Sequence, residues 1–90
     1  MQAVWKKGIE ITEYQKIKLP KRAKILCVQM REGAPYIWFI NPDIDQKETE
    51  QREIKIYRTG YHGSHINGLV YIGTFQTGIL GLEAYHVFEK

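Results

Sequence analysis

The sequence predicts an all-β domain, a small antiparallel β-sandwich or open barrel of about seven strands. Three observations lead there. Apolar and polar residues alternate with a period of two along most of the chain. Turn-forming glycine, proline and asparagine residues interrupt that alternation at short intervals. No stretch carries the 3.6-residue apolar spacing of an amphipathic helix of useful length.

The elements follow in order. Ile9 and Ile11 face one way, with Glu10 and Thr12 opposite. Gln15, Ile17 and Leu19 alternate with Tyr14, Lys16 and Lys18, until Pro20, which has no N–H for a ladder, ends the run. Ala23 to Met30 is the strongest strand. Strict alternation puts Leu26, Val28 and Met30 on one face and Ile25, Cys27 and Gln29 on the other. Cys27 is expected in the core. Glu32-Gly33-Ala34-Pro35 forms a turn into Tyr36–Ile40, which is apolar on both faces and so predicts a central strand. The two strands read as a hairpin. Asn41-Pro42-Asp43 opens another turn, and Gln46–Gln51 is a polar loop or a single helical turn. Arg52–Thr59 is a strand with Ile54 and Ile56 inward and Lys55 and Tyr57 opposite. The glycine-rich connection Gly60–Gly68 leads to the strand Leu69–Gln76. Gly73 inside that strand implies a bulge or a close backbone approach, for which a ligand contact is one reason and Trp5 or Trp38 packed over it the commoner one. Gly78–Gly81 is a turn and Glu83–Glu89 the last strand.

Ninety residues and 10.6 kDa predict one domain spanning 1–90. A domain of this size buries only about 60–65% of its unfolded surface. Its core is therefore thin, and assembly into a homo-oligomer would add buried area. A hydrophobic share of 43% with 26% charged residues excludes a disordered tail. No apolar run approaches the roughly 20 residues of a membrane span, and Met1–Lys7 lacks the apolar stretch of a signal peptide. The single cysteine has no internal disulfide partner, so the expected compartment is the reducing cytoplasm.

The net charge is +3 and the pI about 9.0, too mild an excess to argue for nucleic acid as a partner. Its distribution says more. Residues 1–45 hold eight Lys or Arg against five Asp or Glu, and residues 46–90 hold five of each. Ile54–Leu82 contains no acid, yet carries Lys55, Arg58, His62 and His65. Such a stretch suits an anion. Buried strands that exclude carboxylates give the same pattern.

Arg58-Thr59-Gly60-Tyr61-His62 is the segment with the most chemistry. Arg58 presents a planar fork for phosphate or carboxylate. Thr59 offers a hydroxyl, Gly60 an accessible N–H, Tyr61 a ring for stacking and His62 a second donor. Gln76 adds a hydrogen-bonding side chain, and Trp38 is the alternative stacking ring. A strand end with a polar turn accounts for the same residues equally well. His62-Gly63-Ser64-His65 sets two imidazoles three apart, but no third ligand is near, so no metal is expected. Ser64 next to His65 is not a catalytic pair by adjacency alone. With no Gly-x-Ser-x-Gly elbow and no paired carboxylates, neither enzyme activity nor a cofactor is expected. Lys21-Arg22-Ala23-Lys24 reads as a solvated run. The aromatic residues read as core. A single-strand binder interleaves exposed rings with Lys or Arg on one face, and Tyr57 beside Lys55 and Arg58 is the only local hint of that.

Several blocks together resemble a family of small phage proteins of about this length, a domain of unknown function. They are Ile17-Lys18-Leu19-Pro20-Lys21-Arg22-Ala23-Lys24-Ile25-Leu26, Trp38 in a strand ending at Asn41-Pro42-Asp43, Ile56-Tyr57-Arg58-Thr59-Gly60, Tyr71-Ile72-Gly73-Thr74-Phe75-Gln76 and Tyr85-His86-Val87-Phe88-Glu89. The family pattern has a strand ending in Thr-Gly-His-Pro. Here Thr59-Gly60 match, Tyr61 intervenes before His62, and Gly63 stands in the proline position. The phage setting implies a protein of the host cytoplasm. It also implies a "sponge" that sequesters a nucleotide signal of bacterial defence, a cyclic nucleotide or ADP-ribose derivative; the resemblance carries over Thr59, Gly60 and His62, and the residue chemistry adds Arg58, Tyr61, Gln76 and Trp38 to the expected site. A protein-binding module that blocks a host factor by surface contact is the alternative, and it predicts an exposed apolar patch or open sheet edge.

Overall fold

A computed structural model, which describes residues 1–63 and 65–90, has seven strands. They are β1 (Ala3–Gly8), β2 (Tyr14–Pro20), β3 (Lys24–Arg31), β4 (Ala34–Asn41), β5 (Thr49–Arg58), β6 (Val70–Thr77) and β7 (Glu83–Glu89). All pairings are antiparallel. One sheet has the order β1-β4-β3 and the other β2-β5-β7-β6. The fold is therefore all-β, two packed sheets rather than a closed barrel. No helix among the described residues is long and apolar enough to cross a membrane.

Period-two alternation builds the core. Val28, Ile37 and Phe39 point inward from the first sheet, and Ile17, Leu19, Ile54, Ile56, Phe75 and Val87 from the second. Ile9 and Ala23 join them from the connections. Each of the Val, Leu, Ile and Phe side chains contributes about 1.5–3 kcal/mol by leaving water. The sheets come closest where β3 passes β6. A Cβ on Gly73 would lie 2.9 Å from Val28 Cγ1 and 3.5 Å from Val28 N. The β6–β7 ladder also slips between Tyr71 and Gly73. Bulge and close approach thus coincide at Gly73, but the residue packed there is Val28 and not Trp5 or Trp38.

Four sequence expectations need correcting. The first strand is Ala3–Gly8, whereas Glu10–Glu13 lie outside any strand and carry the chain from one sheet to the other. β3 bulges between Ile25 and Cys27, so Ile25 joins Val28 and Met30 against the core while Leu26 is 43% exposed. Cys27 consequently pairs with Trp38 on the outer face, half-buried and outside the core. β5 begins at Thr49, three residues before the expected start, because the β2 partners Leu19 and Pro20 reach Glu50 and Thr49.

The β3–β4 turn is tighter than expected, with Arg31 pairing directly with Ala34. Glu32 and Gly33 have φ of 53° and 83°, the left-handed pair of a two-residue hairpin turn. One end of the sandwich is tied by Arg52. Its guanidinium donates twice to Glu89 and, at 2.8 Å, to the Ala23 carbonyl, while Glu50 lies 3.7 Å away. This carboxylate pairing raises the Arg52 pKa above its ordinary value. Buried Asn41 organises the next turn, its Oδ1 accepting from Asp43 N–H and Gln46 Nε2.

Candidate functional site

Arg58 ends β5, past Tyr14, the first β2 residue, which pairs with Lys55. Where β2 stops short, β5 leaves a notch. A hollow of about 320 Å³ lies there, lined by Ile11, Thr12, Glu13, Ile56, Tyr57, Arg58, Tyr61 and Tyr85. That is the small end of the usual range for ligand pockets. A second hollow of about 180 Å³ lies on the outer face, lined by Tyr57, Arg58, Thr59, Gly60, Tyr61, Ile66, His86 and Phe88. Tyr57, Arg58 and Tyr61 belong to both.

Four sequence-predicted residues, Arg58, Thr59, Gly60 and Tyr61, therefore share one corner of the molecule. His62 is exposed beside them. Gln76 lies on the same outer face, separated from Thr59 by Ala84, with which both register. It borders neither hollow. Trp38 belongs to the other sheet, facing outward beside Cys27 and Lys6, so it cannot stack on a molecule held at Arg58. Ser64 lies outside the described residues.

Tyr57 explains how the corner is built. Period-two alternation points it away from the core, yet it is only 3% exposed. Tyr61 folds back over it, ring centroids 4.4 Å apart, and Phe88 flanks it at 6.0 Å. A Cβ on residue 63 would come within 2.7 Å of Tyr61 Oη. Tyr61 and Gly63 are thus coupled: a side chain at 63 would crowd the Tyr61 ring in the position it takes over Tyr57. The Tyr57 hydroxyl is buried and has no hydrogen-bond partner among the described residues. Burying a hydroxyl unpaired costs about 1–3 kcal/mol.

Beside Tyr57 runs a chain of polar groups. Tyr71 Oη lies 2.6 Å from Thr74 Oγ1, Thr74 Oγ1 lies 2.9 Å from His86 Nδ1, and His86 Nε2 lies 2.7 Å from Thr59 Oγ1. A hydroxyl both donates and accepts, so two of them satisfy the imidazole in either tautomer. Thr59 and His86 have the spacing of a nucleophile and its base. The group facing Nδ1, however, is a neutral hydroxyl, which stabilises an imidazolium far less than a carboxylate would. The arrangement braces Thr59 in place.

The acid-free stretch of sequence is not fully acid-free in space, because the crossover brings Glu13 to the larger hollow. Among the described residues Arg58 forms no ion pair. No group of three or more His, Cys, Asp or Glu gathers among them. Sequence reasoning missed Tyr57, His86 and Phe88 as lining residues. Cross-strand register, which sets His86 opposite Tyr57, is what brings them together.

A family described as Domain of unknown function (DUF7352) matches residues 1–90, and the chain belongs to it. No curated protein and no solved structure matches the chain.

Proposed function

We propose that this member of the DUF7352 family is a non-enzymatic binding protein that holds a small nucleotide-like anion at the Arg58 corner. One observation carries the reading: the Tyr57 hydroxyl, buried without a partner among the described residues, belongs to a ring that lines both hollows beside Arg58. A bound ligand would supply the missing partner. Arg58 would hold phosphate, Thr59 and the Gly60 N–H would hydrogen-bond, and the edges of Tyr61 and Phe88 would border the base. The resemblance to small phage proteins supplies the setting, in which such binding sequesters a defence signal, a cyclic nucleotide or ADP-ribose derivative. Sequestration lowers the free signal as long as protein exceeds it. Self-association belongs to the same reading.

Isothermal calorimetry against a panel of cyclic nucleotides and ADP-ribose isomers tests it. Heat with at least one, lost in Arg58→Ala and with the ligand recovered unaltered, is expected. No heat with any member, or conversion of the ligand, overturns it.

A second reading, contact with a host protein, draws on the β6–β7 hairpin tip. Ile79, Leu80 and Leu82 there are 84%, 88% and 78% exposed. It predicts retention of a defined host protein that Leu80→Asp abolishes.

A further inference from the structure

We propose that the outer face of the three-stranded sheet binds single-stranded nucleic acid. The site is separate from the Arg58 corner and does not rest on it. Register places Lys6, Trp38 and Cys27 in one cross-strand row, Gly8, Tyr36 and Gln29 in the next, and Val4, Ile40 and Lys24 in a third. Arg31 joins them opposite Ala34. All of these alternate with inward Ile37 and Phe39, so they share the outward face.

Three cations on this face, Lys6, Lys24 and Arg31, surround two rings at alternate positions of the central strand. Lys6 Nζ lies 5.6 Å from the Tyr36 centroid and 5.7 Å from that of Trp38. Tyr36 lies over Gly8, where a Cβ would come within 3.4 Å of the ring. The strands β1, β3 and β4 contain no Asp or Glu. Among the described residues none of the three cations forms an ion pair. The nearest acids along the chain, Glu10, Glu32 and Asp43, lie in the connections that flank these strands. With Lys7 the sheet carries four of the thirteen bases and none of the ten acids, so its charge of +4 exceeds the net +3 of the chain and leaves the rest at −1. Composition averaged over the chain hides this concentration.

A second, independent observation is Trp38 Nε1, a buried donor with no partner among the described residues. Rings offer stacking surfaces to any base, and cations match one phosphate per nucleotide. An acidic protein would use the cations and leave the rings without a role. Unpaired bases use both.

Fluorescence anisotropy with labelled twelve-nucleotide oligo-dT and oligo-U tests the proposal, with a duplex of equal length as comparison. Saturable binding to a single strand is expected. With three phosphate contacts, its log–log salt slope should be about −2, so affinity falls about 20-fold between 50 and 200 mM salt. Tyr36→Ala should weaken binding at least about fivefold. Lys6→Glu/Lys24→Glu/Arg31→Glu, all changes of solvent-facing charge, should abolish it while leaving the far-UV dichroism unchanged. Arg58→Ala should bind as the parent does. No anisotropy change up to about 100 µM protein at 50 mM salt, the weak end of non-specific affinity, overturns the proposal. So does unaltered binding by the folded triple variant, or equal affinity for duplex.

Discussion

Among the described residues each sheet buries one polar donor without a partner on its outward side, Tyr57 Oη on the four-stranded sheet and Trp38 Nε1 on the three-stranded one. The surroundings differ. Around Tyr57 the fold adds a covering segment, a braced imidazole, the Arg58 guanidinium and the carboxylate of Glu13. That mixture suits a compact ligand with several distinct polar atoms. The strands around Trp38 carry Lys and Arg and no Asp or Glu. That uniformity suits a repeating polyanion, whose recognition needs charge and ring surface but little orientation. Position in the sheet order decides which face is which. β4 is central in three strands, so its outward rings have flat neighbours, whereas β5 outruns β2 and ends in a notch.

The strongest way to break the comparison is to part the two sheets. Gly73→Val places atoms where Val28 already stands, and should cost about 3 kcal/mol, read as a lower urea midpoint. A midpoint unchanged from the parent would mean that β3 and β6 do not press together there. Next comes Arg52→Ala, which strips Glu89 and the Ala23 carbonyl of a shared donor. It should cost about 2 kcal/mol, with any nucleotide or oligonucleotide affinity of the parent unchanged in the remaining folded fraction.

Tyr57→Phe sharpens the comparison instead. Removal of a buried unpaired hydroxyl should stabilise the ligand-free protein by about 1 kcal/mol, seen as a rise in melting temperature. The same change should weaken nucleotide binding about fivefold and leave oligonucleotide binding intact. A variant equal to the parent in both respects would show that water serves the hydroxyl equally well.

The smallest effect concerns Tyr14, whose hydroxyl donates to Glu53 Oε1 at 2.6 Å. That hydrogen bond is the main cause that holds the Glu53 carboxyl below its ordinary pKa, and it raises the pKa of the tyrosine. A carboxyl with a lowered folded pKa contributes stability above its unfolded pKa, and loses that contribution as pH falls through the folded value. Tyr14→Phe should move the Glu53 titration, followed by NMR, upward and narrow that acid window. An unmoved titration would assign the shift to Lys90, Lys16 and Lys55.

Alternation and turn residues made most of the fold legible. β2, β4 and β7 lie within a residue or two of where their patterns place them, and Gly73 announces its bulge. β1 was missed because its residues are exposed on nearly every position, so Val4-Trp5-Lys6 shows no alternating pattern to read. The inserted residue in β3 inverted the faces of everything before Cys27, which no period-two reading foresees. The site was legible as the segment Arg58–Tyr61, because its chemistry is contiguous. Tyr57, His86 and the Lys6–Trp38 pair were not, because their neighbours are many residues away in sequence.

The sequence by itself determined that the chain is β, where most of its turns fall, which residues of β2, β4 and β5 enter the core and that its acids avoid one long stretch. Those are local properties, set by side-chain period and backbone freedom. Which strand lies beside which was decided only by tertiary structure. Register sets Lys6 over Tyr36 and Trp38, carries Glu13 to Arg58 and moves Trp38 to the sheet away from it. Cross-strand neighbours are chosen by burial of the shared core, a condition on the whole chain that no segment carries alone.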